Sequence, residues 1–359
     1  MSGIVELGEL ALFVGPHSGK PLRTRTLEVF VSLRTELLAY VRDFEMAFLT
    51  GDFSRIEPHF HEDAIRSVTP AGSLGADDRG RGAVVRGLER DVNALDRRFD
   101  ARIPEIIEGP VVREDGLFLR WRLTFVRAGL PELEIEGEHV TAHGGGKIRR
   151  IDEHVDADVQ ERVGSFLAEH DGALRPAGNA PALPGPHEAT RIRHALLRSA
   201  VRGYAAAKSQ GDVEGALASC AVDFSIDTVP FGIKTGDRDS TAPTLALFFA
   251  AFPDYSAHTE GMAVQGDEVA WWGEISVTSA GPFLGLDPTG RSTRVPAFSV
   301  FTFRDMQLVS ERFHFDLASL CEGLGIPVQA VSERLAALRR GVASPVPESG
   351  PTEIPGLRT

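Results

Sequence analysis

Cysteine is nearly absent from this chain: two residues, Cys220 and Cys321, in 359. Both sit among small and apolar neighbours, so no disulfide framework is expected, and a cytoplasmic compartment is the simple reading. No run of 18 apolar residues occurs, which excludes a membrane-spanning helix. The opening segment MSGIVELGELALFVG lacks the basic stretch of a signal peptide. Lysine is scarce as well, only four of the 38 basic residues. Acidic residues number 51, which leaves a net charge of −13. A surface of that sign excludes nucleic acid and anionic membranes as expected partners, since both need basic patches.

The remaining composition is that of a globular protein, 42% apolar and 25% charged. At this length two domains are expected, each able to bury its own core. A Pro/Gly/Ala-rich stretch, DGALRPAGNAPALPGPHEAT, reads as a linker over 171–190. The tail over 341–359 has similar character and reads as disordered. Residues 1–32 read as an N-terminal extension, leaving domains over 33–170 and 191–340.

These two domains repeat each other. Gly51-Asp52 matches Gly211-Asp212, Asp63 matches Asp223, His154 matches His314 and Asp156 matches Asp316, all at an offset of 160. In the middle the offset shrinks: Phe99 matches Phe252 and Asp115 matches Asp267. An extra loop near Gly75–Gly82 in the first half and a longer hairpin, GPFLGLDPTGRST, in the second account for the drift. Each half opens with helical spacing, Leu33, Leu37, Leu38, Val41, Phe44 and Phe48 in one, Ile192, Leu196, Ala200, Val201 and Tyr204 in the other. Aromatic and β-branched strands follow, GLFLRWRLTFV and EVAWWGEISVT. Each half ends in a strand and a short helix. The expectation is an α+β fold.

The second half, through AFPDYSAHTEGMAVQGDEVAWW, GPFLGLDPTGR, VPAFSVFTFRD and ERFHFDLASLCEGLGIP, resembles the SnoaL-like polyketide cyclase (ester cyclase) group of the nuclear transport factor 2-like superfamily. The first half, through GKIRRIDEHVD, is similar to the broader SnoaL-like and ketosteroid isomerase-like set. The resemblance implies two tandem cone-shaped α+β barrels, each a curved antiparallel sheet wrapped on helices and open to an apolar pocket. It implies cofactor-free acid–base chemistry on a small hydrophobic substrate, polyketide-like or terpenoid-like: ring closure or isomerisation. Epoxide opening, or ligand binding without catalysis, are the alternatives, because the fold alone does not choose. Single-domain relatives commonly dimerise through the sheet, so the two halves are expected to imitate such a dimer within one chain, with a further homodimer left open.

Strand alternation selects the residues that face inward. Ile151, Glu153 and Val155 share one face, as do Val309, Glu311, Phe313 and Phe315. By the resemblance, position 153 holds the family's catalytic acid, here Glu153. The corresponding residue in the second half is Phe313, which leaves Glu311 as substitute base, with Glu274 or His314 beside it. His154 and His314 fall on the opposite face and stand as secondary candidates. Arg120, with Glu153, is a candidate to hold an oxyanion or epoxide oxygen. The superfamily's epoxide hydrolases use an Asp–Arg–Asp set, with an Arg-x-Asp on the middle strand; by the resemblance, neither half has the full set. Tyr40, Asp43, Trp121, Tyr204, Asp227, Trp272 and Phe313 are the candidate pocket-lining residues. Asp156 and Asp316 each precede a short helix and read as N-caps. His139-x-x-x-His143 spans about 13 Å on a strand, too far for one ion, and His59-x-His61 lies near a helix–strand junction without nearby Cys, so no metal is expected.

Overall fold

The helical spacing that begins at Leu33 is realised as α1, Thr24–Thr50, which buries Leu37, Tyr40 and Ala47. The computed structural model describes residues 24–70, 74, 76–114 and 116–339. Most of the extension, part of the Gly75–Gly82 loop and the tail therefore lie outside the described residues. The first half continues with a 3-10 turn and with β1 (Phe60–Thr69), β2 (Ala76–Arg79), α2 (Arg81–Ala94), β3 (Ala101–Arg113), β4 (Gly116–Val126), β5 (Leu133–Gly144), β6 (Lys147–His154) and α3 (Ala157–His170). The second half runs α4 (Pro186–Ser209), α5 (Val213–Leu217), β7 (Cys220–Thr228), β8 (Ile233–Lys234), α6 (Arg238–Ala251), β9 (Ser256–Gln265), β10 (Glu268–Thr278), β11 (Ser292–Arg304), β12 (Gln307–Phe315), α7 (Leu317–Leu324) and α8 (Val328–Arg339). Pro186 stands at the start of α4, where a missing N–H costs nothing, so the expected linker loses its last residues to this helix.

Both sheets have six strands and one topology, β2-β1-β6-β5-β4-β3 and β8-β7-β12-β11-β10-β9. The repeat seen in the sequence is thus a repeat of the fold, α+β in each half. The sheets are mixed, not purely antiparallel. β1 runs parallel to β6, and β7 to β12, because a helix and several strands intervene before the chain returns to the same sheet.

The cores differ. In domain 2 one continuous apolar cluster runs from Leu197 on α4 to Leu335 on α8. Domain 1 holds two separate clusters, one around Tyr40, Phe60, Leu117 and Ile151, the other around Phe99, Phe125, Ile135 and Val163. Trp121 packs against both.

Where contact through the sheet was expected, polar contacts between the halves are concentrated where α4 meets the edge of β3. Arg198 and Arg202 pair with Glu105 at 2.6 and 2.5 Å. The Ile106 N–H donates to Ser199 Oγ at 2.8 Å, and Gln210 both accepts from the Val112 N–H and donates to its carbonyl, each at 2.9 Å. Side chains thus satisfy backbone groups that an edge strand would otherwise leave open. Arg34 of α1 adds an ion pair to Asp212 and a bond to the Pro110 carbonyl at 3.1 Å. Among the described residues no helix is long and apolar enough to cross a membrane.

Candidate active site

In domain 1 the inward face of β5 starts with buried Leu133, Ile135 and Gly137. Alternation places His139 next on that face. Register pairs His139 with Glu153 of β6. Ala64, Arg66 and Val68 likewise form the buried face of β1, which aims Arg66 inward. Arg66 Nε donates to Glu153 Oε1 at 2.9 Å, and its Nη1 reaches Asp91 Oδ2 at 2.6 Å and Asp78 Oδ2 at 3.4 Å.

Burial alone would raise the Glu153 pKa. The Arg66 charge, with help from His139 and the Arg66 hydrogen bond, outweighs it and holds the carboxyl below its ordinary value. The site therefore keeps an ionised acid. Burial acts the other way on His139, and together with the Arg66 charge it outweighs the pull of Glu153, so the imidazole is held neutral. Its Nε2 is sealed from solvent and has no hydrogen-bond partner. The Tyr40 phenol, buried and close to the charge of Glu153, is kept protonated. His139, Glu153, Trp121 and Leu123 face the interior and are each half-buried. A neutral base, an ionised acid and a protonated phenol between two apolar clusters can move a proton and hold a developing negative charge.

Domain 2 carries different residues at the same sites. With the offset of 160, Arg66, His139, Ile151 and Glu153 become Ile226, Ser299, Glu311 and Phe313. The acid has moved one inward position along the last strand. There Glu311, 2% exposed, accepts from Tyr204 Oη at 2.7 Å, from Lys208 Nζ at 3.0 and 3.2 Å and from Ser299 Oγ at 3.2 Å. Burial would lower the Lys208 pKa, but the Glu311 charge overcomes this and raises it. Phe313 and Tyr255 also flank the ammonium. The cavity beside them is about 10 Å³, room for about one water. This cup is filled by its own side chains.

The sequence candidates are therefore divided. Glu153, Tyr40 and Trp121 come together in the first cup, and Glu311, Tyr204 and Phe313 in the second. Arg120, Glu274, Trp272 and Asp227 do not line a cup, because strand alternation turns each outward. Arg120 lies among Glu108, Glu136 and Glu138, Glu274 near Arg294 at 3.7 Å, and Asp227 near Arg312 at 3.5 Å. Trp272 is 41% exposed. His314 faces Phe298 on the outer side, and His154 sits beside Asp156 at 3.2 Å, largely exposed. Asp43 pairs with His59 at 2.8 Å, away from Glu153. Asp316 caps α7 by accepting from Ala318 and Ser319 N–H groups, whereas Asp156 occupies the N-cap position of α3 without a side-chain bond.

Sequence reasoning missed Arg66, His139 and Lys208. The signal for His139 was present, since it continues the buried alternation from Leu133. As a sequence feature His139 reads only as half of a pair with His143, whose ring contacts Glu36 and Thr141. Among the described residues no group of three or more His, Cys, Asp and Glu could hold a metal ion.

Residues 198–324 match the model of the family SnoaL-like polyketide cyclase. No curated protein matches the chain. Among solved structures, a protein of Jannaschia sp. CCS1 described as a SnoaL-like polyketide cyclase is 20% identical, covering 37% of this chain and 93% of its own, with a TM-score of 0.34. IdmH of Streptomyces antibioticus, described as a polyketide cyclase, is 24% identical over 36% of this chain and 99% of its own, with a TM-score of 0.33. A protein of Catenulispora acidiphila with a ketosteroid isomerase-like fold is 17% identical over 36% and 95%, also with a TM-score of 0.33.

Proposed function

We propose that this protein is a cofactor-free cyclase or isomerase whose working cup is domain 1. The family match in domain 2 supports a cyclase- or isomerase-type role. The observation that carries the assignment to domain 1 is His139 Nε2, sealed from solvent and unpartnered, beside an ionised Glu153. An unpartnered buried nitrogen costs about 1–3 kcal/mol, and a proton acceptor held ready for substrate accounts for it.

Once a hydrophobic substrate has displaced the side chains that seal Nε2, His139, in the tautomer with its proton on Nδ1, offers that lone pair to an acidic C–H beside a carbonyl of the substrate. Glu153 stabilises the imidazolium that forms. The Tyr40 phenol and the Arg66 guanidinium supply positive potential for the enolate oxygen. The proton then returns from His139 to a different carbon, giving an isomer, or the enolate carbon attacks a second carbonyl, whose oxygen takes the proton back from His139, giving a hydroxyl-bearing ring. In domain 2, Lys208 neutralises Glu311, the only acid among the described residues that line the cup, and that half serves as a structural partner.

A simple enolisable ketone tests this. Deuterium incorporation into 2-tetralone in D₂O, followed by NMR, should be accelerated by the protein. His139→Gln should lower that acceleration about 10²–10⁴-fold, while Glu311→Gln leaves it in the folded fraction. No acceleration, or acceleration untouched by His139→Gln, rejects the assignment.

A second reading is favoured by one observation. Arg66 bridges Glu153 and Asp91, a carboxylate–guanidinium–carboxylate chain formed from β1, β6 and α2. Such a chain suits epoxide opening by water, with one carboxylate taking a proton from the water. Hydrolysis of styrene oxide, lost in Glu153→Gln, is the result that would favour it over proton shuttling.

A further inference from the structure

The floor of the first cup is an indole. Trp121 and Gly137 stand opposite each other on β4 and β5, so both positions face the cup. A Cβ at position 137 would lie 2.6 Å from Trp121 Cζ2 and 3.0 Å from Cε2, which means that the ring lies across the bare backbone of β5. His139 is the next inward residue on that strand, and Glu153 stands opposite His139. The same indole touches both apolar clusters and keeps part of its surface exposed. Domain 2 has no such floor. There Gly273 takes the place of Trp121, opposite Ala297, and the His258 carbonyl oxygen occupies the space a side chain would need, 2.0 Å from its Cβ position.

We propose that Trp121 is a stacking platform that determines substrate class: it receives a planar, conjugated ring and presents that ring's edge to His139. This rests on the assignment of the working cup to domain 1 and makes it more specific. A flat ring covers an indole face completely, and offset stacking adds to simple burial. A puckered, saturated ring touches the same face at few atoms. The platform therefore favours an unsaturated, polyketide-like intermediate over a saturated, terpenoid-like one. Gly137 is the residue that lets the ring lie against the backbone of β5.

The test compares two probes of one skeleton, 2-naphthol and its saturated counterpart decahydro-2-naphthol, by titration calorimetry on the full chain. The wild type should bind 2-naphthol roughly three- to tenfold tighter, the size of an aromatic pair's contribution. Trp121→Leu should erase that preference while keeping the affinity for the saturated probe, and Trp121→Phe should retain part of it. Gly137→Ala, whose Cβ would press on the indole and on the His154 carbonyl oxygen 3.0 Å away, should weaken both probes. Trp272→Leu, on the outer face, should change neither. A wild type that binds neither probe, or a preference that survives Trp121→Leu, overturns the platform. If the preference depends on Trp121 but 2-tetralone exchange does not depend on His139, the platform stands and the catalytic assignment falls.

Discussion

His139 of β5 and Glu153 of β6 stand opposite each other on adjacent strands, and their surroundings drive their protonation states apart. Burial holds the histidine neutral, and Arg66 holds the acid ionised against the effect of burial. Paired titratable groups separated in this way mark acid–base sites.

The pH dependence follows from the signs. In the proposed proton shuttle the active form of His139 is the neutral one, and its pKa lies below the ordinary 6.5. Exchange catalysis should therefore be flat through neutrality and fall only as pH drops below 6.5. Glu153 raises the His139 pKa, so Glu153→Gln should move this acid limb to still lower pH while also reducing the plateau rate, since the imidazolium loses its counter-charge. Unfolded histidine binds a proton near 6.5, while the folded one resists it until lower pH. Stability attributable to His139 is therefore lost as pH falls through that window, and His139→Gln should remove that part of the acid sensitivity. Rate profiles and urea midpoints at several pH values check both statements; an acid limb above 6.5 would contradict them.

In domain 2 the ion pair of Lys208 and Glu311 should behave as structure. Lys208→Met leaves a carboxylate buried without a counter-charge and should cost about 3–5 kcal/mol. The double change Lys208→Met with Glu311→Leu removes both charges and should recover most of that loss. Thermal melts of the three variants measure the coupling. A double variant no more stable than Lys208→Met would show that the pair does something other than neutralise itself.

Much of this was legible in the sequence because it depends on period and repeat. The offset of 160 located equivalent strands, and alternation placed Glu153 and Glu311 inward and His154 and His314 outward. What alternation could not supply was partners from distant strands. Arg66 lies 87 residues from Glu153, and only the parallel pairing of β1 with β6 brings them together. The parallel pairs themselves escaped notice because no short turn announces them. Arg120 and Glu274 follow from the resemblance's charged positions on the middle strand, but the flanking Leu119, Trp121, Gly273 and Ile275 occupy the inward positions and exclude them.

The two recurrent aspartates should separate by stability. Asp316 accepts hydrogen bonds from the Ala318 N–H at 3.0 Å and the Ser319 N–H at 3.3 Å, so Asp316→Ala should cost about 1 kcal/mol. Asp156 makes no such bond, and its replacement by alanine should stay within about 0.5 kcal/mol. Denaturant midpoints of the two variants decide it, and equal losses would contradict the geometry.

Glu105 is the residue on which the union of the two halves should depend most. It stands on β3 of domain 1 but receives Arg198 and Arg202 of α4, and its side chain is only 11% exposed. Burial would raise its pKa, yet the hydrogen bonds from the two arginines outweigh this and lower it. A carboxyl with a lowered folded pKa contributes stability above its unfolded value, and that stability is lost as pH falls through the folded one. Acidification should therefore loosen the α4–β3 contact. Glu105→Gln should loosen it at neutral pH, leaving two partly buried guanidinium groups without their acid at a cost of about 2–4 kcal/mol. Because α4 also belongs to the core of domain 2, the loss should appear as reduced coupling between the halves: one cooperative transition in calorimetry should broaden or split. Added salt should do much less than the mutation, since sheltered pairs are poorly screened. A single unchanged transition in Glu105→Gln would show that the Ser199, Gln210 and Arg34 contacts suffice to hold the halves together.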